Sequence, residues 1–140
     1  MDVKKTLEHI NNHVFKNTLM STLGIKVVEI GVDYVVATMP VDSKVYQPDG
    51  LLHGGATVAL AETVGSLSSH VFVDLEKYYV KGLEISANHL KSVTKGVVKA
   101  TSRPIHRGKT THLWEIKVEN EQGELISLVK MTAIVLPKSN

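Results

Sequence analysis

The amino-acid sequence predicts an α+β fold: a long central helix wrapped by a curved antiparallel sheet, with a peripheral helix at the N-terminus. Three observations carry this. Residues Gly50 to Val73 form a long apolar run with one formal charge, Glu62. Two β-branched segments precede that run and four follow it, separated by short turn-forming clusters. The chain opens on a stretch in which Val3, Leu7, Ile10 and Val14 recur at helical intervals. The order helix, two strands, helix, four strands argues one long helix packed on a sheet.

The first helix is assigned to residues 1–18, and its single apolar stripe suits it to lie against something larger. From Gly24 the run IKVVEIGVDYVVATMPV breaks at Gly31, Val32 and Asp33, the pattern of two strands joined by a tight turn. DSKVYQPDGLL has few periodic apolar residues and carries Pro48, Asp49 and Gly50, so it reads as a loop. The central helix is placed over residues 54–72. Its apolar residues, among them Ala56, Val58, Leu60, Ala61, Val64, Leu67 and Val71, spread around much of the circumference, which requires wrapping. Four strands follow, Tyr79 to Leu90, Val97 to Ile105, Thr110 to Val118 and Leu125 to Leu136. Their separators, Thr94-Lys95-Gly96, Arg107-Gly108-Lys109 and Glu121-Gln122-Gly123, read as hairpin connections, predicting a four-stranded meander.

A chain of 140 residues with 43% hydrophobic side chains builds one core, so a single domain over residues 1–140 is expected. The absence of cysteine excludes a disulfide scaffold, a thiolate zinc site, an iron–sulfur cluster and a Cys nucleophile. Charged residues at 21% and a mean hydropathy of +0.03 argue against both a dominant disordered tail and a membrane span. The opening residues are charged throughout and lack the apolar core of a secretory signal, so a cytoplasmic location is expected. His53, Gly54, Gly55, Thr57, Thr63, Ser66, Ser68, Ser69 and His70 interrupt the long apolar run, which therefore reads as buried in protein, with no membrane partner. Open sheet edges favour self-association.

Chemistry concentrates where the loop meets the central helix. Gln47 to Ala56 supplies an amide side chain, the His53 imidazole and a glycine pair whose helix-start N–H groups suit a developing oxyanion. Glu62 follows about two turns on, with Ser66 one turn beyond it on the same face. A carboxylate in an otherwise uncharged helix calls for a partner or a task. Together these are the parts for general-base or nucleophilic attack on a carbonyl. Other patterns fail. Gly108-Lys109-Thr110 lacks the earlier glycine of a phosphate loop, which would fall at Arg103. His9 and His13 have helical metal spacing, but Ile10 stands where the zinc-protease pattern has glutamate. Ser68, Ser69 and His70 lack a G-x-S-x-G turn. No metal and no separate cofactor are expected.

The run QPDGLLHGGATVALAETVGS resembles the signature of hotdog-fold acyl-CoA thioesterases, in the branch of the 1,4-dihydroxy-2-naphthoyl-CoA, 4-hydroxybenzoyl-CoA (Arthrobacter type) and phenylacetate-pathway enzymes. The likeness extends from LGI at Leu23 through MPVD at Met39 to the strand Ser127 to Leu136. It implies a homodimer with continuous sheets, often a homotetramer built as a dimer of dimers. It also implies roles. Glu62 matches the carboxylate acting as nucleophile or general base, Gln47 and His53 the polar pair near the thioester carbonyl and sulfur, the Gly54 N–H the oxyanion donor, and Ser66 the hydroxyl that helps place water or substrate. In such enzymes Gln47 and His53 would face Glu62 of the neighbouring chain.

Between Ile85 and Trp114 the sequence has Lys91, Lys95, Lys99, Arg103, Arg107 and Lys109 but no acidic residue, against a net charge of only +2. This local imbalance suggests a polyanionic partner. Aromatic residues do not interleave with the cations, which argues against nucleic acid, and coenzyme A fits better. The resemblance places the coenzyme along Gly55, Gly82, His89, Leu90, Lys91 and Ser92, and along His106, Arg107, Gly108, Lys109, Thr110 and Thr111. The expected function is hydrolysis of acyl-CoA thioesters, of aromatic or medium-chain acyl groups, to free acid and coenzyme A. The alternatives are a non-catalytic acyl-CoA sensor and a hotdog hydratase or dehydratase.

Overall fold

The computed structural model describes residues 1–139. Helix α1 (Val3–His9) is capped by Asp2, whose carboxylate accepts from the Lys5 N–H, and it runs on into a wider π-type turn, Ile10–Val14. The helix therefore stops short of the expected residue 18. Asn11 fixes this segment to the sheet by bonding both the N–H and the carbonyl of Val27, at 2.9 and 2.8 Å. A short helix α2 (Leu19–Leu23) ends on Gly24 in the left-handed conformation.

Strands β1 (Lys26–Ile30) and β2 (Val35–Pro40) form the expected hairpin. Helix α3 (Gly54–Val71) follows, then β3 (Tyr78–His89), β4 (Val97–Arg107), β5 (Thr111–Glu119) and β6 (Leu125–Pro137). All pairings are antiparallel, in one six-stranded sheet of order β1-β2-β4-β5-β6-β3. With α3 packed on one face, this is the hotdog arrangement.

The expected four-stranded meander is corrected. Only β4, β5 and β6 run as one, while β3 pairs with β6, with His89 opposite Ser127 and Tyr79 opposite Leu136. Thr94-Lys95-Gly96 is accordingly no hairpin. The Val93 side chain is buried, its carbonyl accepts from the Leu52 N–H (2.8 Å), and the Gly96 carbonyl accepts from Val41 (2.8 Å). These contacts carry the chain across the end of the sheet and bind it to the loop before α3.

The core lies between α3 and the sheet. Leu60, Ala61, Val64, Gly65 and Ser68 face Ala37, Met39, Trp114, Ile116, Val129 and Met131, all buried. Gly65 sets how closely helix and sheet approach: a Cβ there would lie 2.7 Å from Met131 Sδ. The sheet covers one face of α3 only, so Ala56, Val58, Leu67 and Val71 remain partly exposed in the single chain.

The sheet has two unlike edges. β1 is short, bulged and carries Lys26 and Glu29, features that discourage further pairing. β3 has 12 residues and offers a long free edge with Tyr79 and Leu83 exposed. It carries a bulge between Gly82 and Glu84.

Candidate active site

The loop before α3 is built by short-range bonds. Gln47 accepts through its backbone carbonyl from Gly50 (3.0 Å), and Gly50 takes the positive φ of 77° that the turn requires. His53 then caps the helix, its Nδ1 accepting the Gly55 N–H at 2.7 Å. With Nδ1 accepting, the ring proton sits on Nε2, which becomes an outward-facing donor. The first-turn Gly54 N–H has no acceptor among the described residues. The helix start thus presents two N–H donors of the kind an oxyanion needs.

Gln47, Gly54 and Thr57 line a cleft of about 320 Å³ with His89, Lys91 and Ser127. The His89 ring lies across Gly54: a Cβ on Gly54 would stand 2.7 Å from His89 Nε2. His89 Nδ1 is in turn 2.6 Å from the hydroxyl of buried Ser127. Leu90 and Ser92 complete this side of the cleft, while Gly55 is exposed beside the His53 ring.

Glu62 lies elsewhere. A helix rises about 1.5 Å per residue, which puts Glu62 about 12 Å along the axis from Gly54. It shares a second cleft of about 290 Å³ with Ser66, Thr63, Met20, Gly82 and Met131. The expectation that this carboxylate is buried is corrected: Glu62 is exposed in the chain and has no hydrogen-bond or ion-pair partner among the described residues. Helical periodicity explains it. Glu62 follows buried Leu60 by two residues and precedes buried Val64 by two, and two residues turn the helix by about 200°, so Glu62 points away from the side that those residues bury. It is turned toward the free edge of the sheet, where the β3 bulge sits at Gly82, 3.9 Å from Glu62 Oε1 measured from a Cβ placed on that glycine.

The expected coenzyme residues divide between the ends of α3. His89, Leu90, Lys91 and Ser92 lie by its N-terminus and Gly82 beside its middle. His106, Arg107, Gly108, Lys109, Thr110 and Thr111 belong to the β4–β5 hairpin, which packs near the C-terminal end. There the Arg107 guanidinium sits 5.0 Å over the ring of Phe72, the residue that ends α3. The hairpin is closed by Gly108 donating to the Thr111 carbonyl (2.8 Å), and Thr110 ties its turn to β6 by accepting from the Val135 N–H (2.8 Å). The cations differ in state. Lys91 is paired with Glu124, whose carboxyl that ammonium, helped by Asn120, holds below the usual carboxylate range. Lys109 is exposed without an ion pair among the described residues.

The placement of two groups of polar residues escaped the sequence reading. Thr57 and Ser127, each 2% exposed, stand in the cleft at the start of α3. Beneath the other half of the helix, the Trp114 indole N–H donates to Ser69 Oγ (2.7 Å), and that hydroxyl meets His112 Nδ1 at 2.9 Å. Ser68, on the next position, bonds Ser102 at 2.6 Å. Ser68 and Ser69 are thus buried structural hydroxyls. The alternation of THLWEIKV carried the missed signal, since His112 shares its parity with inward-facing Trp114, Ile116 and Val118.

Burial depresses the His112 pKa, and the Arg107 and His106 charges push it the same way. The folded chain therefore binds this proton less readily than the unfolded chain, whose imidazole titrates near about 6.5. The contribution to stability is complete above that value and is lost as pH falls through the lower folded-state value. Urea midpoints measured from about pH 8 down to about pH 5 are expected to fall, with a shallower slope in His112→Gln. An unchanged slope would remove His112 as the cause.

Residues 49–127 match the family model described as Thioesterase superfamily. The chain belongs to the thioesterase superfamily. It is similar to the 1,4-dihydroxy-2-naphthoyl-CoA hydrolase of Escherichia coli, 41% identical over 95% of this chain and 96% of that one. It is also similar to the proofreading thioesterase EntH of Cronobacter turicensis, 40% identical over 94% of both. A crystallised thioesterase variant from Pseudomonas aeruginosa superposes with a TM-score of 0.91 at 42% identity, covering 94% of each chain. The protein is thus an enzyme that hydrolyses thioesters. No helix of this thioesterase is long and apolar enough, among the described residues, to cross a membrane.

Proposed function

We propose that this thioesterase hydrolyses acyl-CoA thioesters at a site shared between two protomers, with Glu62 of one chain opposite Gln47, His53 and Gly54 of the other. The observation that carries the reading is the separation within one chain: the unpaired carboxylate lies about 12 Å along α3 from the helix-start donors. Glu62 also lies beside the long free edge of β3. Two-fold antiparallel pairing of β3 with its copy, centred near Ile85, would bring the partner's His89 beside Gly82 and Glu62. The partner's helix start, which lies against that histidine, would follow it.

In this arrangement the Gly54 N–H and the His53 Nε2–H stabilise negative charge developing on the thioester oxygen. Glu62 acts by one of two balanced routes. Its carboxylate attacks the carbonyl carbon, the C–S bond breaks with release of the coenzyme thiolate, and water then cleaves the acyl anhydride. Alternatively it takes a proton from a water that attacks the same carbon, and the thiolate leaves directly. Ser66, one turn from Glu62, lines the same cleft and would orient water or substrate there.

A shared site has a distinctive consequence. Glu62→Ala and His53→Ala chains, each inactive alone, recover about a quarter of wild-type activity when mixed and re-paired at random, because half the dimers are mixed and each holds one intact site. No recovery on confirmed subunit exchange would show that the site lies within one chain. For the coenzyme end, Lys109→Ala with Arg107→Ala is expected to raise KM about three- to tenfold with kcat retained, the signature of lost binding that is equal in ground and transition states. Unchanged kinetics would remove both cations from the site. Ligand binding without thiol release from any acyl-CoA would contradict the assignment of acyl-CoA as substrate.

A further inference from the structure

Ser127 is a polar residue in a core position. It shares its parity along β6 with Val129, Met131, Ala133 and Val135, all buried, and is itself 2% exposed. An aliphatic side chain would pack there without the cost of burying a hydroxyl. That hydroxyl has one hydrogen-bond partner among the described residues, Nδ1 of His89, the residue directly opposite on β3. On the other side of the ring, Nε2 is the atom that a Cβ on Gly54 would meet first, and it makes no hydrogen bond among the described residues. A buried hydroxyl thus holds a ring whose free nitrogen lies against the start of α3, in the cleft that Gln47 and Gly54 also line.

The direction of the Ser127 bond follows from counting donors. Were Nδ1–H to donate it, the hydroxyl proton would be left buried without an acceptor. With Ser127 donating, both groups are satisfied and the proton of the neutral ring sits on Nε2. We propose that Ser127 is a positioning residue that holds His89 with its Nε2–H directed at the helix start, where it serves as a third oxyanion donor beside the Gly54 N–H and the His53 Nε2–H. The inference rests on the acyl-CoA reading of this site and moves His89 from coenzyme binding to the reacting oxygen. Negative charge develops on that oxygen only as the carbonyl carbon is attacked, so the contact strengthens in the transition state and acts on kcat. A contact with the coenzyme would act on KM instead.

Two measurements test this. Nitrogen-15 NMR of the neutral His89 ring should place the proton on Nε2 in wild type; a proton on Nδ1 overturns the proposal. Thiol release from acetyl-, octanoyl- and benzoyl-CoA then reads the kinetic role. His89→Ala is expected to lower kcat about 10²-fold and Ser127→Ala about tenfold, with KM changed less than about twofold in both. In the His89→Ala background, Ser127→Ala should cost nothing further, because its effect travels through the ring. Ser127→Thr keeps the hydroxyl and should hold kcat near wild type, while Ser127→Val, of the same shape, should not. If the Thr and Val proteins fail to fold, the alanine cycle and the NMR decide. A Ser127→Ala loss that persists without His89, equal kcat for Thr and Val, or a His89→Ala effect confined to KM overturns the proposal and leaves the thioesterase reading intact. Failure of wild type to release thiol from any of the three defeats the acyl-CoA reading itself, and the donor role with it, whichever nitrogen carries the proton.

Discussion

Glu62→Ala is expected to lower kcat by about 10²–10⁴ while leaving the fold and subunit assembly as in wild type. The side chain is exposed and bonded to nothing among the described residues, so its removal opens no cavity and strands no buried partner. The loss should therefore appear in turnover and not in Tm. Glu62→Gln separates the routes to that loss, because it keeps size and polarity but can neither attack nor accept a proton. A Gln variant with near wild-type kcat would reduce the acid to a polar contact. Thermal melts and native mass run beside the kinetics distinguish lost chemistry from lost assembly.

Trp114→Ala is expected to destabilise the fold by about 3–5 kcal/mol, equivalent to a Tm decrease of roughly 10–20 °C. Trp114 is fully buried between α3 and the sheet. Its ring packs against Phe72 at 6.2 Å and edge-on to His112 at 6.0 Å. The indole N–H also holds Ser69, which in turn meets His112, so truncation both opens a cavity and unties a buried polar chain. Trp114→Phe retains most of the volume and removes the donor. Its cost should be smaller, about 1–3 kcal/mol. A Phe variant as stable as wild type would mean that packing alone matters and that the Ser69 contact contributes nothing.

Much of the fold was legible because it rests on local pattern. The β1–β2 hairpin announced itself through Gly31, Val32 and Asp33 between β-branched runs. Helix α3 announced itself as a long, nearly uncharged segment opened by a glycine pair. Strand pairing between distant segments leaves no such mark. That β3 lies beside β6 depends on Val93 and the backbone bonds at Leu52 and Val41, contacts between residues far apart in the chain.

The candidate site divides the same way. Its parts were visible as residue types: an amide and an imidazole before a glycine pair, then a lone acid and a hydroxyl one turn apart. Their spatial relation was not. An apolar neighbourhood in sequence suggested a buried Glu62, but the angular step of the helix turns it away from Leu60 and Val64 and toward the sheet edge.

The sequence by itself determined the six strand segments and the central helix, the turns of the β1–β2, β4–β5 and β5–β6 hairpins, the family and the set of chemically capable side chains, because each follows from short-range periodicity or from a contiguous motif. Tertiary structure alone decided which strand closes the sheet and that Glu62 stands apart from the helix-start donors of its own chain. Those features depend on which surfaces of remote segments meet, and packing of a shared core, not local preference, selects among them.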